Sequence, residues 1–393
     1  PPPHRRTPSS LLPNRARPLP NAPPSTDKSG RMSLFARLAI GRRSPGLVRA
    51  VRSGPAAPVL RRLASSTSKP AASHANLAAL LRNAPSHSSL ALLAPSQGVA
   101  MTYNELDCQA SALATALCGH GYSCGDGILT DLPNTAENLL LQLACARLGV
   151  IVVTAKDPSA VKSVRLKGVA TTQFSDLSKS SGYELPPLLI QGTDALSESE
   201  LSEGALVLEE ALADSKNHSQ TVIFPPSEES RWHAQFGSAL LTHQQLIGHG
   251  KRAMDRLSMG PGDRVCISIT LCHAFGIGSA VCSALLAGAT VVLPAVGGIR
   301  GCGNPAQRAE VTSSVLQTEK CTLLFADSHT LKALPQDQTE EDLPLFRGGV
   351  VKIGSGADFL EDILHAKLGK DEEPRELKYA NKRLVAFGKK SDG

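Results

Sequence analysis

Hydrophobic and polar positions along the chain repeat one pattern twice: a helix, a strand, a second helix and a second strand. Helices are predicted where apolar residues recur every three or four positions, and strands where a short apolar run follows a turn. In the first copy these elements fall at residues 105–120, 127–131, 135–148 and 150–154. In the second copy a helix ends near Ser258, a strand covers 264–269, a helix follows Gly276 and a strand covers 290–293.

Glycines mark the same boundaries in both copies. A Gly-Asp pair begins each first strand, at Gly125 and Gly262, and a single glycine ends each second helix, at Gly149 and Gly288. Strand–helix–strand units with largely apolar strands are typical of parallel sheets. We therefore predict an α/β fold of two similar doubly wound subdomains, with ligands at the carboxyl ends of the strands between the two halves.

The remaining pattern predicts four regions along the chain. Residues 1–70 form a basic leader, 71–220 the first subdomain with a linker, 221–365 the second subdomain, and 366–393 a charged tail. Within the linker the pattern predicts short strands, followed by an acidic, exposed stretch at 197–216 and a strand at 220–224. In the second subdomain it predicts a strand then a helix at 320–334, a strand at 350–353 and a helix from about Asp358.

Charge is unevenly distributed around the net value of +6. Residues 1–70 contain 14 Lys or Arg and one acid, Asp27, whereas the rest of the chain is net acidic. Nucleic-acid binding requires a basic surface, and the body has no basic stripe, so we expect no nucleic-acid partner. No apolar run reaches the roughly 20 residues of a membrane span. The pattern leaves the oligomeric state open.

The leader has the composition of a transit peptide. From Met32 to Lys69 it contains eight bases, no acid and many Ser and Ala residues, with a short amphipathic pattern at its start. This composition predicts mitochondrial import, with a plastid as the alternative address and a disordered basic tail as the other interpretation. Residues 1–31 are either part of the protein or translated upstream sequence, with Met32 as the start.

The nine cysteines do not form a recognisable metal or disulfide motif. No C-x-x-C occurs and no Cys/His group has zinc spacing, so the sequence predicts no metal site. Most of the cysteines lie in apolar surroundings, which indicates reduced structural thiols in a reducing compartment.

A helix start follows an unusual loop. Thr242 and Gln245 have the spacing of a capping box, so a helix begins at about residue 242. Loops before helix starts are common anion sites and are usually rich in Gly, Ser and Thr. Here the preceding residues, EESRWHA at 228–234, carry two glutamates instead.

Taken together, six segments resemble the adenylate-forming (AMP-binding) superfamily, and within it the acyl-CoA synthetases, over roughly residues 100–360. They are MTYNELD (101–107), GDGILTDLPNTAE (125–137), LGVIVVTAKDP (148–158), ALLTHQQL (239–246), LCHAFGIG (271–278) and GGVVKIGSGADF (348–359). The resemblance implies the fold of the family's amino-terminal domain. It also implies ATP-dependent activation of a carboxylic (fatty) acid to an acyl-adenylate and then an acyl-CoA, with ATP, Mg and CoA as cofactors.

The same resemblance assigns candidate site residues. Thr242, at the helix start, and the Gly354-Ser355-Gly356 turn fall at nucleotide-binding positions, and the turn has an ordinary strand-to-helix connection as its alternative. A second set corresponds to the acyl pocket and consists of His273, Phe275 and Gly276. The alternative for His273 is a buried core histidine with its hydrogen bonds satisfied.

The sequence departs from the family at its phosphate loop, an aromatic followed by Thr-Ser-Gly-Thr-Thr-Gly-x-Pro-Lys-Gly. Counting back from Thr242 places the Ser/Thr/Gly run at 229–234, and counting forward from the strand at 222–224 places it at 225–230. Neither alignment recovers the loop, and its glutamates would repel a triphosphate. Trp232 is interpreted either as a cover for a ribose or as a packing residue.

The family's metal, ribose and lysine motifs do not occur after Asp358. We therefore expect an amino-terminal part without the carboxyl-terminal domain: either an inactive relative of acyl-CoA synthetases or an incomplete gene product. The alternative is a non-catalytic module that binds an acyl group or CoA, so the expected partner is a small carboxylate or an acyl-CoA.

Overall fold

In the computed structural model, the described residues form two β-sheets with helices packed against them. They are residues 76–82, 84–130, 132–154, 161, 164–171, 187–189, 206–208, 232–236, 239–294, 304–354, 358–359, 367–368, 371–373 and 375–388.

The described strands alternate with helices along most of the chain. In chain order the strands are β1 (Leu90–Ala94), β2 (Val99–Thr102), β3 (Asp126–Thr130), β4 (Ile151–Thr154), β5 (Arg165–Thr171), β6 (Pro187–Leu189), β7 (Leu206–Val207), β8 (Trp232–Phe236), β9 (Ala239–Thr242), β10 (Arg264–Ser268), β11 (Thr290–Val292), β12 (Leu323–Asp327), β13 (Gly348–Ile353), β14 (Asp358–Phe359), β15 (Lys378–Tyr379) and β16 (Lys382–Gly388). The helices are α1 (Ala79–Arg82), α2 (Tyr103–Gly119), α3 (Ala136–Leu148), α4 (His243–Leu257), α5 (Cys282–Ala287), α6 (Pro305–Thr318) and α7 (Ser328–Ala333), with a 3-10 turn at Pro95–Gln97 and a π-helix at Phe275–Val281.

The large sheet has the strand order β14-β16-β13-β12-β10-β11-β1-β2, with β15 paired to β16, and the small sheet has the order β7-β6-β5-β3-β4-β8-β9. Pairing is parallel through the middle of both sheets. Among the described strands, the antiparallel pairs are β1–β2, β14–β16 and β15–β16 in the large sheet and β8–β9 in the small one. The predicted α/β class with two strand–helix–strand units is therefore confirmed.

The strands do not segregate between the sheets in chain order. The β1 strand precedes the first unit, yet it pairs with β11 of the second unit, Leu92 against Val291. In the opposite direction, β8 and β9 follow the linker but extend the small sheet, with Ala234 opposite Val152 of β4. Each sheet is thus completed by strands from the other part of the chain.

Helix boundaries follow the residues that the sequence offers as caps. The predicted capping box is confirmed: Gln245 N–H donates to the Thr242 hydroxyl oxygen at 3.1 Å, and Thr242 N–H donates to the Gln245 side chain at 2.8 Å. A similar box begins α2. The predicted helix stops are also confirmed, since Gly149 and Gly288 end α3 and α5 with φ of 70° and 68°, values that glycine adopts without strain.

The largest hydrophobic core cluster among the described residues includes side chains of both units. Every residue of α3 is buried, including its polar Glu137, Asn138 and Gln142. The core cluster that contains α3 also includes residues of α4, the π-helix and α5. The polar groups of α3 consequently lie inside the protein, where burial requires hydrogen-bond partners.

The predicted charged tail at 366–393 is wrong for residues 382–388. These residues form β16, which lies between β13 and β14, with Val350 opposite Val385. Leu384, Ala386 and Phe387 are buried, so a short apolar run among charges was enough to add a strand to the sheet.

The helix predicted from Asp358 is also wrong at its start. Asp358–Phe359 forms β14, which pairs antiparallel with the end of β16. The rest of that predicted helix lies outside the described residues, as does the strand predicted at 220–224. Within the stretch predicted to be acidic and exposed, residues 206–207 form β7 and Leu208 is buried.

The cysteines agree with the structural interpretation as far as they are described. Eight of them are free thiols, and Cys145, Cys266, Cys282 and Cys321 are buried. Within the part of the chain that the structure describes, no helix has both the length and the apolar character of a membrane span.

Candidate functional site

The candidate site lies where carboxyl ends of strands from the two sheets meet. After β10 ends at Ser268, residues 269–273 form a loop that runs toward the small sheet; we call it the bridging loop. Its anchor is Asn134, which follows β3 of the small sheet. Asn134 Nδ2 donates to Ile269 O at 2.5 Å, and its Oδ1 accepts from Leu271 N–H at 2.8 Å.

Two more side chains hold the backbone of this loop. Gln142, on the buried helix α3, donates to Leu271 O at 3.0 Å. Thr154, the last residue of β4, donates its hydroxyl to Cys272 O at 3.1 Å. Asn138 supports the arrangement because it donates to Leu132 O and contacts the Cys272 sulfur at 3.7 Å. The bridging loop thus continues from a strand of the large sheet, but its backbone is hydrogen-bonded by side chains of the unit that contains the small sheet.

His273 is the last residue of the bridging loop, and it is exposed. The alternative that it is a buried core histidine is therefore wrong. Its carbonyl oxygen accepts from Ile277 N–H at 3.1 Å, which fixes its backbone at the entrance to the π-helix. Short π-helical segments occur frequently at functional sites.

Phe275 and Gly276 lie behind the loop rather than beside His273 at the surface. Phe275 is 1% exposed, and its ring centroid lies 4.9 Å from that of Phe387 and 5.8 Å from that of Phe325. A Cβ atom on Gly276 would lie 2.1 Å from Thr270 O, so this glycine lets the π-helix pack directly on the bridging loop.

The predicted nucleotide-binding residues are only partly described. The Thr242 hydroxyl is engaged in the capping box at the start of α4. Gly354 ends β13 with φ of 57°. Ser355 and Gly356 lie outside the described residues, and a contact of any of the three with a nucleotide stays a prediction.

The region that the resemblance aligns with the family's phosphate loop contains a β-hairpin. Phe236 at the end of β8 pairs with Ala239 at the start of β9, and only Gly237 and Ser238 separate them in the sequence. The alignment that placed the loop at 229–234 is wrong for residues 232–234, because these belong to β8. Residues 225–231 lie outside the described residues.

A buried histidine pair, which was not predicted, lies between this hairpin and the start of α4. His233 on β8 and His243 at the start of α4 are 0% and 2% exposed, with ring centroids 4.8 Å apart. Leu77 N–H donates to His243 Nδ1 at 3.3 Å, so the neutral imidazole carries its proton on Nε2. Neither nitrogen of His233, nor His243 Nε2, has a hydrogen-bond partner among the described residues.

Burial lowers the pKa of both histidines. Desolvation holds the pKa of His233 well below its usual 6.5, and the neighbouring His243 lowers it further. Desolvation lowers the pKa of His243 to about 4. Both rings are consequently neutral at physiological pH, so the pair adds no positive charge to this part of the protein.

Among the described residues, no group of three or more His, Cys, Asp or Glu side chains is arranged to hold a metal ion. The hairpin also leaves only Gly237 and Ser238 between β8 and β9 for the backbone donors that a triphosphate requires.

The chain has the fold of the amino-terminal domain of adenylate-forming enzymes, as the similarity to solved structures shows. The model of the AMP-binding enzyme family matches residues 77–165. Among solved structures, the chain is similar to a benzoate CoA ligase from Burkholderia xenovorans LB400. The two share 18% identity with a TM-score of 0.55, over 71% of this chain and 56% of that one.

Two further structures support the same fold. ATP-bound MatB from Rhodopseudomonas palustris is 18% identical with a TM-score of 0.52, over 72% of this chain and 56% of that one. The N-terminal domain of FACL13 from Mycobacterium tuberculosis is 16% identical with a TM-score of 0.51, over 71% and 70%. No curated protein matches by sequence. The predicted resemblance is confirmed, and the chain spans little more than half the length of the benzoate ligase.

Proposed function

We propose that this chain is an acyl-CoA synthetase-like protein that binds a carboxylic acid, or the acyl part of an acyl-CoA, beside His273. The observation that carries the proposal is the bridging loop. Side chains of the small-sheet unit hold its backbone, and its last residue, His273, is exposed. Small-molecule sites combine such fixed polar groups with apolar walls.

The reaction of the lineage is ATP-dependent activation of a carboxylate to an acyl-adenylate, followed by transfer to CoA. The similar structures include a benzoate CoA ligase and an ATP-bound enzyme. This supports a carboxylate and ATP as the ancestral ligands. For this chain, that resemblance alone implies ATP, Mg and CoA, and no intact motif of the sequence supports them.

We further propose that the chain does not complete adenylation by itself. Catalysis at a triphosphate depends on a preorganised set of donors around the developing charge. In the sequence, only two residues separate β8 from β9, and the neighbouring histidines, His233 on β8 and His243 at the start of α4, are neutral. The same observation favours the second candidate function, a non-catalytic module that retains acyl or CoA binding.

Pyrophosphate exchange and thermal melting test these proposals together. We expect no carboxylate-dependent exchange above background with benzoate, octanoate or a longer fatty acid. We expect octanoyl-CoA to raise the melting temperature, because a ligand that binds only the native state stabilises it, whereas ATP leaves it unchanged. Exchange above background would contradict the loss of adenylation, and no response to any acid or thioester would contradict acyl binding.

Import into mitochondria is a separate proposal that rests on the leader. Residues 32–75 fused to a fluorescent protein are expected to direct it to mitochondria, because the segment is rich in Arg and Ser and lacks acids up to Lys69. A matched fusion in which the arginines of this segment are replaced by glutamine should remain cytosolic. Cytosolic fluorescence of the unmodified fusion would contradict the proposal. Fluorescence in plastids would replace the mitochondrion with the plastid as the destination.

A further inference from the structure

We infer that Asn134 and Thr154 are positioning residues of the acyl site, which set the orientation of His273 from the opposite sheet. The inference rests on the proposed function and extends it to residues that touch no ligand. It begins with the backbone of the bridging loop. Beyond Ser268 the ladder of the large sheet no longer satisfies the polar groups of this backbone, so other partners must do so.

Those partners come from the small-sheet unit. Asn134 bonds the carbonyl of Ile269 and the N–H of Leu271, which lie on either side of Thr270. Thr154 bonds the carbonyl of Cys272, the residue immediately before His273. An asparagine amide that both donates and accepts fixes the direction of the loop as well as its distance, because its two ends are not interchangeable.

The loop is also confined from the other side. Gly276 packs so closely on Thr270 that a Cβ atom at this position would lie 2.1 Å from the Thr270 oxygen. The bridging loop is therefore held between hydrogen bonds from Asn134 and Thr154 on one face and the backbone of the π-helix on the other. His273 therefore extends from a segment whose backbone is held on both faces, and loss of either set of hydrogen bonds should loosen it.

The test reads His273 directly, by NMR of the full chain with labelled histidine side chains. Thr154→Val keeps the shape and the strand preference of the side chain but removes its hydroxyl. Asn134→Ala removes both hydrogen bonds that the side-chain amide makes to the loop. We expect each variant to shift or broaden the His273 resonance. Thr115→Val is the matched control, because it removes a similar hydroxyl-to-carbonyl bond within α2, from Thr115 to Ser111 O at 3.0 Å.

Binding supplies the second readout, with octanoate, benzoate and their CoA thioesters as probes. We expect Asn134→Ala and Thr154→Val to weaken binding of the responsive probe by about tenfold, the scale of one lost hydrogen bond of good geometry. His273→Ala should weaken it at least as much, and Thr115→Val should leave it unchanged. If Asn134→Ala does not fold, Thr154→Val carries the test.

The outcomes separate the two proposals. An unchanged His273 resonance in a folded Thr154→Val variant overturns the positioning role, even if the variant is less stable. Binding that His273→Ala does not affect overturns the proposed acyl site, while a shifted His273 resonance would still establish that the small sheet orients the loop. Shifted resonances with weakened binding in both variants support the inference.

Discussion

Replacing Phe387 with alanine is expected to lower the free energy of unfolding by about 3 to 5 kcal/mol, the range for removing a large aromatic side chain from a core. Phe387 is 2% exposed, and its ring centroid lies 4.9 Å from that of Phe275. The cavity would open between β16 and the π-helix that follows the bridging loop. Urea unfolding followed by circular dichroism measures the change.

The matched control is Leu345→Ala. Leu345 is 53% exposed, so its removal should change the free energy of unfolding by less than about 0.5 kcal/mol. Equal, small effects of the two substitutions would contradict the placement of β16 within the large sheet.

Stability is expected to fall as the pH drops from about 6.5 toward 4, because of the buried histidine pair. The folded-state pKa of His243 is lowered from 6.5 to about 4, and that of His233 lies well below 6.5. The unfolded chain therefore binds protons in this window that the folded protein excludes. The contribution of the neutral histidines to stability is fully present above about pH 6.5. Protonation of His243 alone removes roughly 3 kcal/mol of it by pH 4. His233 acts in the same direction.

Urea unfolding of two variants at pH 7.5 and 5.0 isolates this effect. His243→Asn keeps an acceptor for Leu77 N–H but does not titrate, so the stability difference between the two pH values should shrink. His233→Leu removes two buried nitrogens without partners among the described residues, so it should shrink the difference and leave stability at pH 7.5 unchanged or higher. His120→Asn at the exposed end of α2 is the control. A pH dependence that neither variant reduces would exclude the pair as its source.

The carboxylates act in a different pH window. Burial alone would raise the pKa values of Asp126 and Asp263, but hydrogen bonds from arginines and neighbouring backbone N–H groups hold both below the usual 3.8. Each therefore contributes stability above about pH 4 that is lost as the pH falls through its folded-state pKa. These two carboxylates therefore contribute little to the difference in stability between pH 7.5 and 5.0.

Local signals in the sequence were sufficient to predict helix starts and ends that depend only on neighbouring residues. The Thr242–Gln245 box and the stops at Gly149 and Gly288 act within one helical turn, and the structure has them where they were predicted. The resemblance added the order of the elements. It also singled out the segment that contains Asn134, although not the role of its amide.

Features that depend on distant pairing were not predictable in this way. His233 and His243 meet because the β8–β9 hairpin folds back, and nothing in their spacing indicates that both are buried. The strand β16 is a few apolar residues among charges, and its burial depends on a partner, β13, some thirty residues earlier in the chain. The helix predicted at Asp358 failed at its start for the same reason, since pairing with β16 overrides a local helical pattern.

The exchange of strands between the two sheets has a consequence for how the protein is made. The β1 strand leaves the ribosome early, but its partner β11 follows only about 200 residues later, where the Thr290 hydroxyl bonds Leu90 O. Until then, β1 has an unpaired edge that is open to aggregation. Neither half of the nascent chain can complete its sheet alone, so we expect folding to be largely post-translational, slow, and dependent on chaperones that shield the early strand.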